Sequence, residues 1–254
     1  MKLGADRRTL AAVILLGWIA ALAILAHRRQ TVSDVQRLAG GVLSLDPATY
    51  YYTLSKDGKR LGDATSVIDT GPAGFKERNV VRFADDSAAS APRGEATSTA
   101  YLSRAFVLDS FAISVSGMET PFRLIASTAK GSKLLLPSLA PIALVLSRAP
   151  RVGASSDQWI YNPVAKRVQR VTLRIAAESL FTVVDSAVFD GSRNIWTPAH
   201  SDTVRSWMIT TPSRAVSAWV DAHGRIVAAS EPGGATLIRT AYEIAMLNPL
   251  RHPE

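Results

Sequence analysis

Cysteine is absent from this 254-residue chain, and histidine is scarce. Without thiols the chain can form no disulfide, no thiolate metal site, no iron–sulfur cluster and no cysteine nucleophile. The four histidines, His27, His200, His223 and His252, lie too far apart in sequence for a local pair of metal ligands. We therefore predict no metal ligands, no cofactor-binding residues and no catalytic residues.

A concentrated basic surface is also missing, although the net charge is +8. Half of that excess lies in residues 1–29, which carry five basic side chains against Asp6 alone. The rest is spread thinly, with no basic run that interleaves aromatic residues and no zinc-finger spacing. The sequence therefore predicts no nucleic-acid partner.

Motifs of hydrolases and nucleotide-binding proteins are missing as well. His200, Ser201 and Asp202 are the residue types of a catalytic triad, but triad residues usually come from separated elements. No nucleophile elbow and no phosphate-binding glycine loop is present. We expect these three residues to lie in a polar loop between Trp196 and Trp207, and we predict that the protein is not an enzyme.

One long apolar run stands at the N-terminus. Residues 10–26 contain no charge and would span roughly 26 Å as a helix, close to the hydrocarbon thickness of a bilayer. Arginine pairs bracket the run. This pattern predicts a single transmembrane helix, with residues 1–29 as a membrane anchor in a bacterial cell membrane.

A cleaved signal peptide is the alternative, because residues 21–23 read Ala-Leu-Ala, a small-x-small cleavage site. We favour the uncleaved anchor, since the apolar run continues to Ala26 and ends at Arg28 and Arg29. Basic residues are equally frequent on both sides, so they do not orient the helix. A short basic head followed by a large domain is typical of a signal anchor, which predicts an extracytoplasmic domain.

The remainder of the chain has the alternating pattern of β-strands. Residues 50–56 and 59–68 flank Asp57 and Gly58, a pair that favours a tight hairpin turn. In residues 110–116, Phe111, Ile113 and Val115 alternate with small polar residues, which predicts one buried and one wet face. Only residues 138–148 favour a helix in the middle of the chain.

These patterns define the domain organisation. We predict a stalk at 30–48, a β-rich domain at 49–247 and a tail at 248–254. The halves 49–136 and 151–247 are alike in outline, so a duplication is one interpretation. The predicted fold class is mainly β: a strongly curved antiparallel sheet or half-barrel after the transmembrane helix.

In the second half we expect separate strands at 167–175, 181–189, 194–196 and 206–210. Four tryptophans lie in this half, at positions 159, 196, 207 and 219. They are expected either as core residues or as the lining of an apolar cavity. The arginines at 104, 174 and 239 lie in strand-like stretches, either on the wet face or as a convergent polar floor of a pocket.

Three stretches carry a resemblance to a known family: residues 51–70, 102–117 and 218–245. Their order, an aromatic hairpin with a DGKRLG turn, an LSRAF strand and a closing WVDAHGR hairpin, resembles the membrane-anchored, β-rich region that precedes the catalytic domain of bacterial transglutaminase-like proteins. That catalytic domain uses cysteine, histidine and aspartate, so the resemblance implies only a non-catalytic accessory region. The curved-sheet outline is more distantly similar to periplasmic lipoprotein carriers with an open half-barrel.

Two functions follow as expectations. The first is a membrane-anchored extracytoplasmic binding or accessory module, with the membrane and another envelope protein as its partners. The alternative is a periplasmic lipid or lipoprotein carrier, with an apolar cavity in a half-barrel. A cavity of several hundred Å³ would favour the carrier, and a filled core with an exposed apolar patch would favour the accessory module.

Overall fold

The computed structural model describes residues 38, 40, 45–84, 92–117, 121–128, 134–147, 149–162, 166–211, 217–230 and 234–248. The anchor expected at residues 10–26 lies outside this part of the chain, as does most of the stalk. No helix within the described ranges is long and apolar enough to cross a membrane. Leu38 lies in a helical conformation and Leu45 in irregular structure, and both side chains pack against the core.

The described chain is mainly β, as predicted. One nine-residue helix, α1, and one short π-helical turn accompany thirteen strands. In chain order the elements are β1 (Ala48–Lys56), β2 (Lys59–Gly71), β3 (Gly74–Ala84), β4 (Pro92–Ser103), β5 (Leu108–Ser116), β6 (Phe122–Ser127), β7 (Leu134–Leu135), α1 (Leu139–Ser147), β8 (Ser155–Asn162), β9 (Arg167–Asp190), β10 (Ile195–Thr210), β11 (Ser217–Asp221), β12 (Ile226–Ser230), β13 (Thr236–Thr240) and the π-helical turn (Glu243–Leu247).

All thirteen strands form one open, curved sheet in the order β6-β5-β4-β3-β2-β1-β13-β12-β11-β10-β9-β8-β7. Each half of the chain supplies a six-stranded antiparallel meander, β1–β6 and β8–β13, and the two meanders join through β1 and β13. β7 alone pairs in parallel, with β8. The open, curved sheet confirms the mainly β, curved-sheet part of the predicted fold class. The predicted transmembrane helix lies outside the described residues, and the duplication stays a prediction.

The first hairpin forms as predicted. Asp57 and Gly58 connect β1 to β2 with φ values of 51° and 77°. Two successive positive φ values are those of a type I′ turn, whose twist matches the twist of the flanking strands.

The predicted alternation in β5 is also present. Phe111 lies opposite Ala100 and is buried, and Ile113 packs against the core. Val115 shares their face but is only half-buried, because it lies near the end of the strand.

The second half departs from the expectation of separate strands and a polar loop. β9 is one strand of 24 residues and β10 one of 16, so residues 197–205 belong to a strand rather than a loop. The polar composition was misleading because the distal hairpin formed by β9 and β10 extends beyond the core. His200, Ser201 and Asp202 are exposed although they pair with β9, with a register shift on each side of His200. A ladder needs backbone hydrogen bonds and not apolar side chains.

Helix α1 fills the hollow of the sheet, at the position where the sequence predicts a helix. All nine of its residues are buried, including Pro141 in the first turn. The core around it combines side chains from β4 and β5 with side chains from β8–β11, which lie far apart in the strand order. The rings of Phe111 and Tyr161 also meet, 5.1 Å apart between centroids. The sheet therefore curves around α1 until its two edge regions touch.

The C-terminal π-helical turn fixes the distal β9–β10 hairpin to the rest of the sheet. Arg60 of β2 donates hydrogen bonds to the carbonyl oxygens of Ile244, Ala245 and Asn248. Asn248 in turn exchanges hydrogen bonds with the backbone of Trp196 in β10. One guanidinium thus satisfies carbonyl groups that a helix end leaves without partners.

Close packing of β2 on β3 generates a first prediction. A Cβ atom at Gly62 would lie 1.9 Å from the carbonyl oxygen of Arg82, so Gly62→Ala must push the two strands apart. We expect a loss of about 2 kcal/mol in the free energy of unfolding, measured by urea denaturation, as is typical of overpacking.

Gly71 is the matched control, because it lies in the same strand and a Cβ atom there would meet only the Gly74 oxygen at 4.0 Å. Gly71→Ala should stay within about 0.5 kcal/mol of the parent. An equal loss in both variants would contradict the close approach at Gly62.

Candidate functional site

A cavity of about 320 Å³ lies on the concave face of the sheet, beside the core that α1 fills. Strands β1–β4 form one wall and β11–β13 the opposite wall. Pro137, Ser138 and Pro141, at the start of α1, close a third side. The helix covers only part of the hollow, and the cavity is the part that it leaves open.

The exposed surface of this cavity is mainly apolar. Tyr52, Ala64 and Val81 contribute from one wall, and Ile226 and Leu237 from the other. No charged side chain lines the cavity among the residues that the structure describes.

A polar strip crosses the first wall of the cavity. Ser66, Asn79 and Ser98 lie side by side on three neighbouring strands, β2, β3 and β4. Asn79 Nδ2 donates to Ser98 Oγ at 3.4 Å. The strip leaves hydroxyl and amide groups available to the cavity, so a ligand with one polar end can be oriented there.

Glu77 is a buried carboxyl group on the same face, 5% exposed. Its apolar neighbours include Ile68, Phe75 and Leu102. Burial raises the pKa of Glu77 from its ordinary value of 4.5 to about 7, and hydrogen bonds with Asn79 and Ser138 lower it only in part. Ser138 Oγ donates to Glu77 Oε2 at 3.4 Å. Glu77 thus connects β3 to the segment that begins α1.

A second pocket, of about 380 Å³ and more polar, lies at one end of β1 and β13, next to the distal β9–β10 hairpin. Its basic side chains are Arg225 and Arg239, and Tyr50 lies beside them. Its acidic side chains are Asp185, Asp202 and Glu243. Tyr50 and Tyr52 are two positions apart in β1, so their side chains lie on the same face of the strand. Tyr50 lines the polar pocket and Tyr52 the apolar cavity, so the two pockets are neighbours on that face.

Asp185, His200 and Asp202 form an exposed cluster at the polar pocket, with donor atoms within 4.8 Å of one another. His200 Nδ1 lies 2.8 and 2.9 Å from the two carboxylate oxygens of Asp185, and this hydrogen bond raises the pKa of His200. One imidazole and two carboxylates would suit a divalent metal. The Asp185–His200 ion pair already accounts for the two closest groups, so we assign no metal here.

The triad residue types do not assemble. His200 bonds to Asp185 of β9, a residue 15 positions away, and no hydrogen bond joins Ser201 to His200 in the described part of the chain. Sequence reasoning missed the Asp185–His200 pair because only the β9–β10 register brings the two together.

The structure places the four tryptophans and the three arginines of the sequence analysis in different environments. Trp207 is a core residue and Trp159 is half exposed, and none of the four tryptophans lines the apolar cavity. Arg104 and Arg174 are exposed on the surface. Arg239 alone of the three arginines lines a pocket, where it meets Arg225, which the sequence did not single out. In the sequence, Arg225 follows a turn glycine at the end of the WVDAHGR stretch, and this position is the only sequence signal for it.

Comparisons with protein-family models, curated proteins and solved structures found no match to this chain. The resemblance to the accessory region of transglutaminase-like proteins therefore stays a prediction.

The buried carboxyl group generates a prediction for pH. Because the pKa of Glu77 is raised in the folded state, the folded protein binds a proton more tightly than the unfolded chain between about pH 4.5 and 7. The contribution of Glu77 to stability therefore falls as pH rises through this window and becomes constant above it. Glu77→Gln removes the effect, so the variant should gain on the order of 3 kcal/mol over the parent between pH 4.5 and pH 8, measured by chemical denaturation.

Glu178 provides the control, since it is an exposed glutamate whose pKa is lowered by its hydrogen bond with Arg205. For Glu178→Gln the difference from the parent should change in the opposite direction and only below about pH 4.5, and it should stay constant between pH 4.5 and pH 8. A pH profile of Glu77→Gln that runs parallel to the parent would refute the protonated, buried Glu77.

Proposed function

We propose that this chain is a non-catalytic binding protein that holds an acyl chain in the cavity on the concave face of its sheet. The cavity itself carries the proposal: about 320 Å³ of open space next to a tightly packed core. Ligand pockets generally span about 300–1,000 Å³ and are mostly apolar, with a few polar groups that orient the ligand. The carrier expectation thus gains support over a purely accessory role.

The composition of the walls argues for an acyl chain rather than a polar metabolite. Apolar surface in contact with water costs roughly 25 cal/mol per Å², and a hydrocarbon ligand relieves this cost. Because the described lining contains no charged residue, a buried carboxylate or phosphate would have no counter-charge there. We therefore place the hydrocarbon inside the cavity and a polar end either on the strip of Ser66, Asn79 and Ser98 or outside the mouth.

The start of α1 is suited to control entry. Pro137 and Pro141 lie on either side of the turn that leads into α1, and both line the cavity. Ser138 between them is held by Glu77. Release of this contact would free Ser138, which lines the third side of the cavity.

An accessory module that docks another envelope protein is a second candidate, favoured by one observation. The distal β9–β10 hairpin exposes large apolar side chains, among them Leu180 (68% exposed), Val188 and Phe189. A photo-crosslinking residue at position 180 should then capture one defined partner in cells, whereas the same probe at the exposed Val152 should not.

We also propose that residues 10–26 hold the protein in a bacterial membrane with the β-rich domain outside the cytoplasm. The uncharged run and its flanking arginines support this location. Deletion of residues 1–29 should move the protein from the membrane pellet to the soluble fraction after alkaline carbonate extraction. Persistence in the pellet would contradict the anchor.

A fluorescent fatty acid tests the acyl-chain proposal. The full-length chain, held in nanodiscs of phosphatidylglycerol, should bind it saturably, above the background of empty nanodiscs. Ala229 lines the cavity, so Ala229→Phe should occupy the space and weaken binding at least tenfold, which is about 1.4 kcal/mol.

Ala112 supplies the matched control, because it lies in β5 opposite the exposed Ile125 and away from the cavity. Ala112→Phe should bind the probe like the parent. Absence of saturable binding, or an equal effect of both substitutions, would overturn the proposed function.

A further inference from the structure

Arg239 in the polar pocket is a largely buried cation with an incomplete set of partners. Its side chain is 11% exposed, and its Nη1 atom makes no hydrogen bond within the described residues. The nearest carboxylate oxygen, Asp221 Oδ2, is 3.8 Å away, too far for a hydrogen bond. A buried donor without a partner is costly, so a bound water, ion or ligand that accepts its hydrogen bond is favourable there.

Most of the hydrogen-bonding capacity of Asp221 is already used by other groups. Oδ1 accepts the backbone N–H groups of His223 and Arg225, and Oδ2 accepts Arg225 Nε at 2.6 Å. Arg239 otherwise contacts the ring of Tyr50, 5.7 Å from its centroid. Two guanidinium groups thus face one buried carboxylate, which leaves an excess of one positive charge at the base of the pocket.

The mouth of the same pocket has the opposite charge. Asp202 and Glu243 form no ion pair within the described ranges, whereas Asp185 is already paired with His200. Tyr51 and Tyr242 lie beside these carboxylates, with their rings edge to face at 5.0 Å. Carboxylates and aromatic faces together are a favourable environment for an ammonium group.

This arrangement of charge disfavours both a simple anion and a simple cation as the ligand of the whole pocket. A multivalent anion would be attracted by Arg239 and repelled by the carboxylates at the mouth. A cation would be attracted by these carboxylates and repelled by Arg239. We propose that the polar pocket binds a zwitterion, whose phosphate or carboxylate reaches Arg239 and Arg225 and whose ammonium lies between Asp202, Glu243 and the tyrosines. A volume of about 380 Å³ accommodates a small molecule of this kind.

The site is separate from the acyl-chain cavity and does not depend on it. Tyr52 stands between the two, and its hydroxyl group donates to the carbonyl oxygen of Ile226 at 3.2 Å. A zwitterion in the polar pocket can therefore be a free small molecule or the head group of an amphiphile whose tail lies elsewhere, and the two sources differ in their binding behaviour.

Isothermal titration calorimetry with three probes tests the proposal on the full-length chain in phosphatidylglycerol nanodiscs, whose lipids carry no ammonium. O-phosphoethanolamine should bind with one site, and inorganic phosphate or ethanolamine alone should bind at least about tenfold more weakly. Equal or tighter binding of inorganic phosphate, or no binding of O-phosphoethanolamine, overturns the zwitterion site.

Substitutions at both ends of the site complete the test. Arg239→Gln should abolish binding of O-phosphoethanolamine. Asp202 is exposed, so Asp202→Asn should reduce the preference for O-phosphoethanolamine over inorganic phosphate without affecting folding. Arg170→Gln is the control and should bind O-phosphoethanolamine like the parent, because Arg170 of β9 forms an exposed ion pair with Asp157 of β8. Unchanged binding in both Arg239→Gln and Asp202→Asn would place the ligand elsewhere and overturn the assignment.

Lysophosphatidylethanolamine identifies the source of the zwitterion. A head-group site predicts tighter binding of the lysolipid than of O-phosphoethanolamine and competition between the two. A site for a free small molecule predicts that the lysolipid binds more weakly, because its tail must leave the pocket. Failure of the fatty-acid experiment at Ala229 leaves these outcomes unaffected, since Ala229 lines only the other cavity.

Discussion

Packing of α1 against both halves of the sheet is the interaction on which the rest of the structure depends. The open sheet of thirteen strands has a concave face with a large apolar part, and curvature alone would leave a water-filled hollow beside it. The helix occupies that hollow with all nine residues and contributes no polar side chain except Ser147, whose hydroxyl group bonds to the backbone of Leu144. Because the helix is fully apolar, it can be surrounded on every side, and this surrounding fixes how strongly the sheet bends.

The same packing explains why open space remains on the concave face. A nine-residue helix is roughly 14 Å long, whereas strands such as β2 and β3 run much further. The helix therefore fills the hollow at one end and stops short of the other. The cavity begins at its first turn, and the polar strip of Ser66, Asn79 and Ser98 lies just beyond the buried Glu77. The part of the concave face that α1 leaves uncovered is thus mainly apolar and is crossed by this single polar strip.

Local patterns predicted the local elements well. The Asp57-Gly58 turn, the alternation of Phe111 and Ile113, and α1 itself follow from neighbouring residues alone. The sequence could not indicate which strands continue beyond the core, because an exposed strand such as 197–205 has the polar composition of a loop. It could not indicate the buried state of Glu77 either, since burial there depends on α1, more than sixty positions away. Arg239 of β13 and Asp221 of β11 meet only because β12 pairs with both of these strands.

The two pockets differ in how the fold creates them, and this difference explains their chemistry. The apolar cavity is a remainder of core packing, so its walls are the same strand faces that elsewhere contact α1. The polar pocket arises where the distal β9–β10 hairpin, held by Asn248 and Arg60, lies against the ends of β1 and β13. Side chains at strand ends and on an exposed hairpin carry no requirement to be apolar, so charges of both signs collect there. Tyr52, whose hydroxyl group donates to the carbonyl oxygen of Ile226, lies between the apolar cavity and the charged polar pocket.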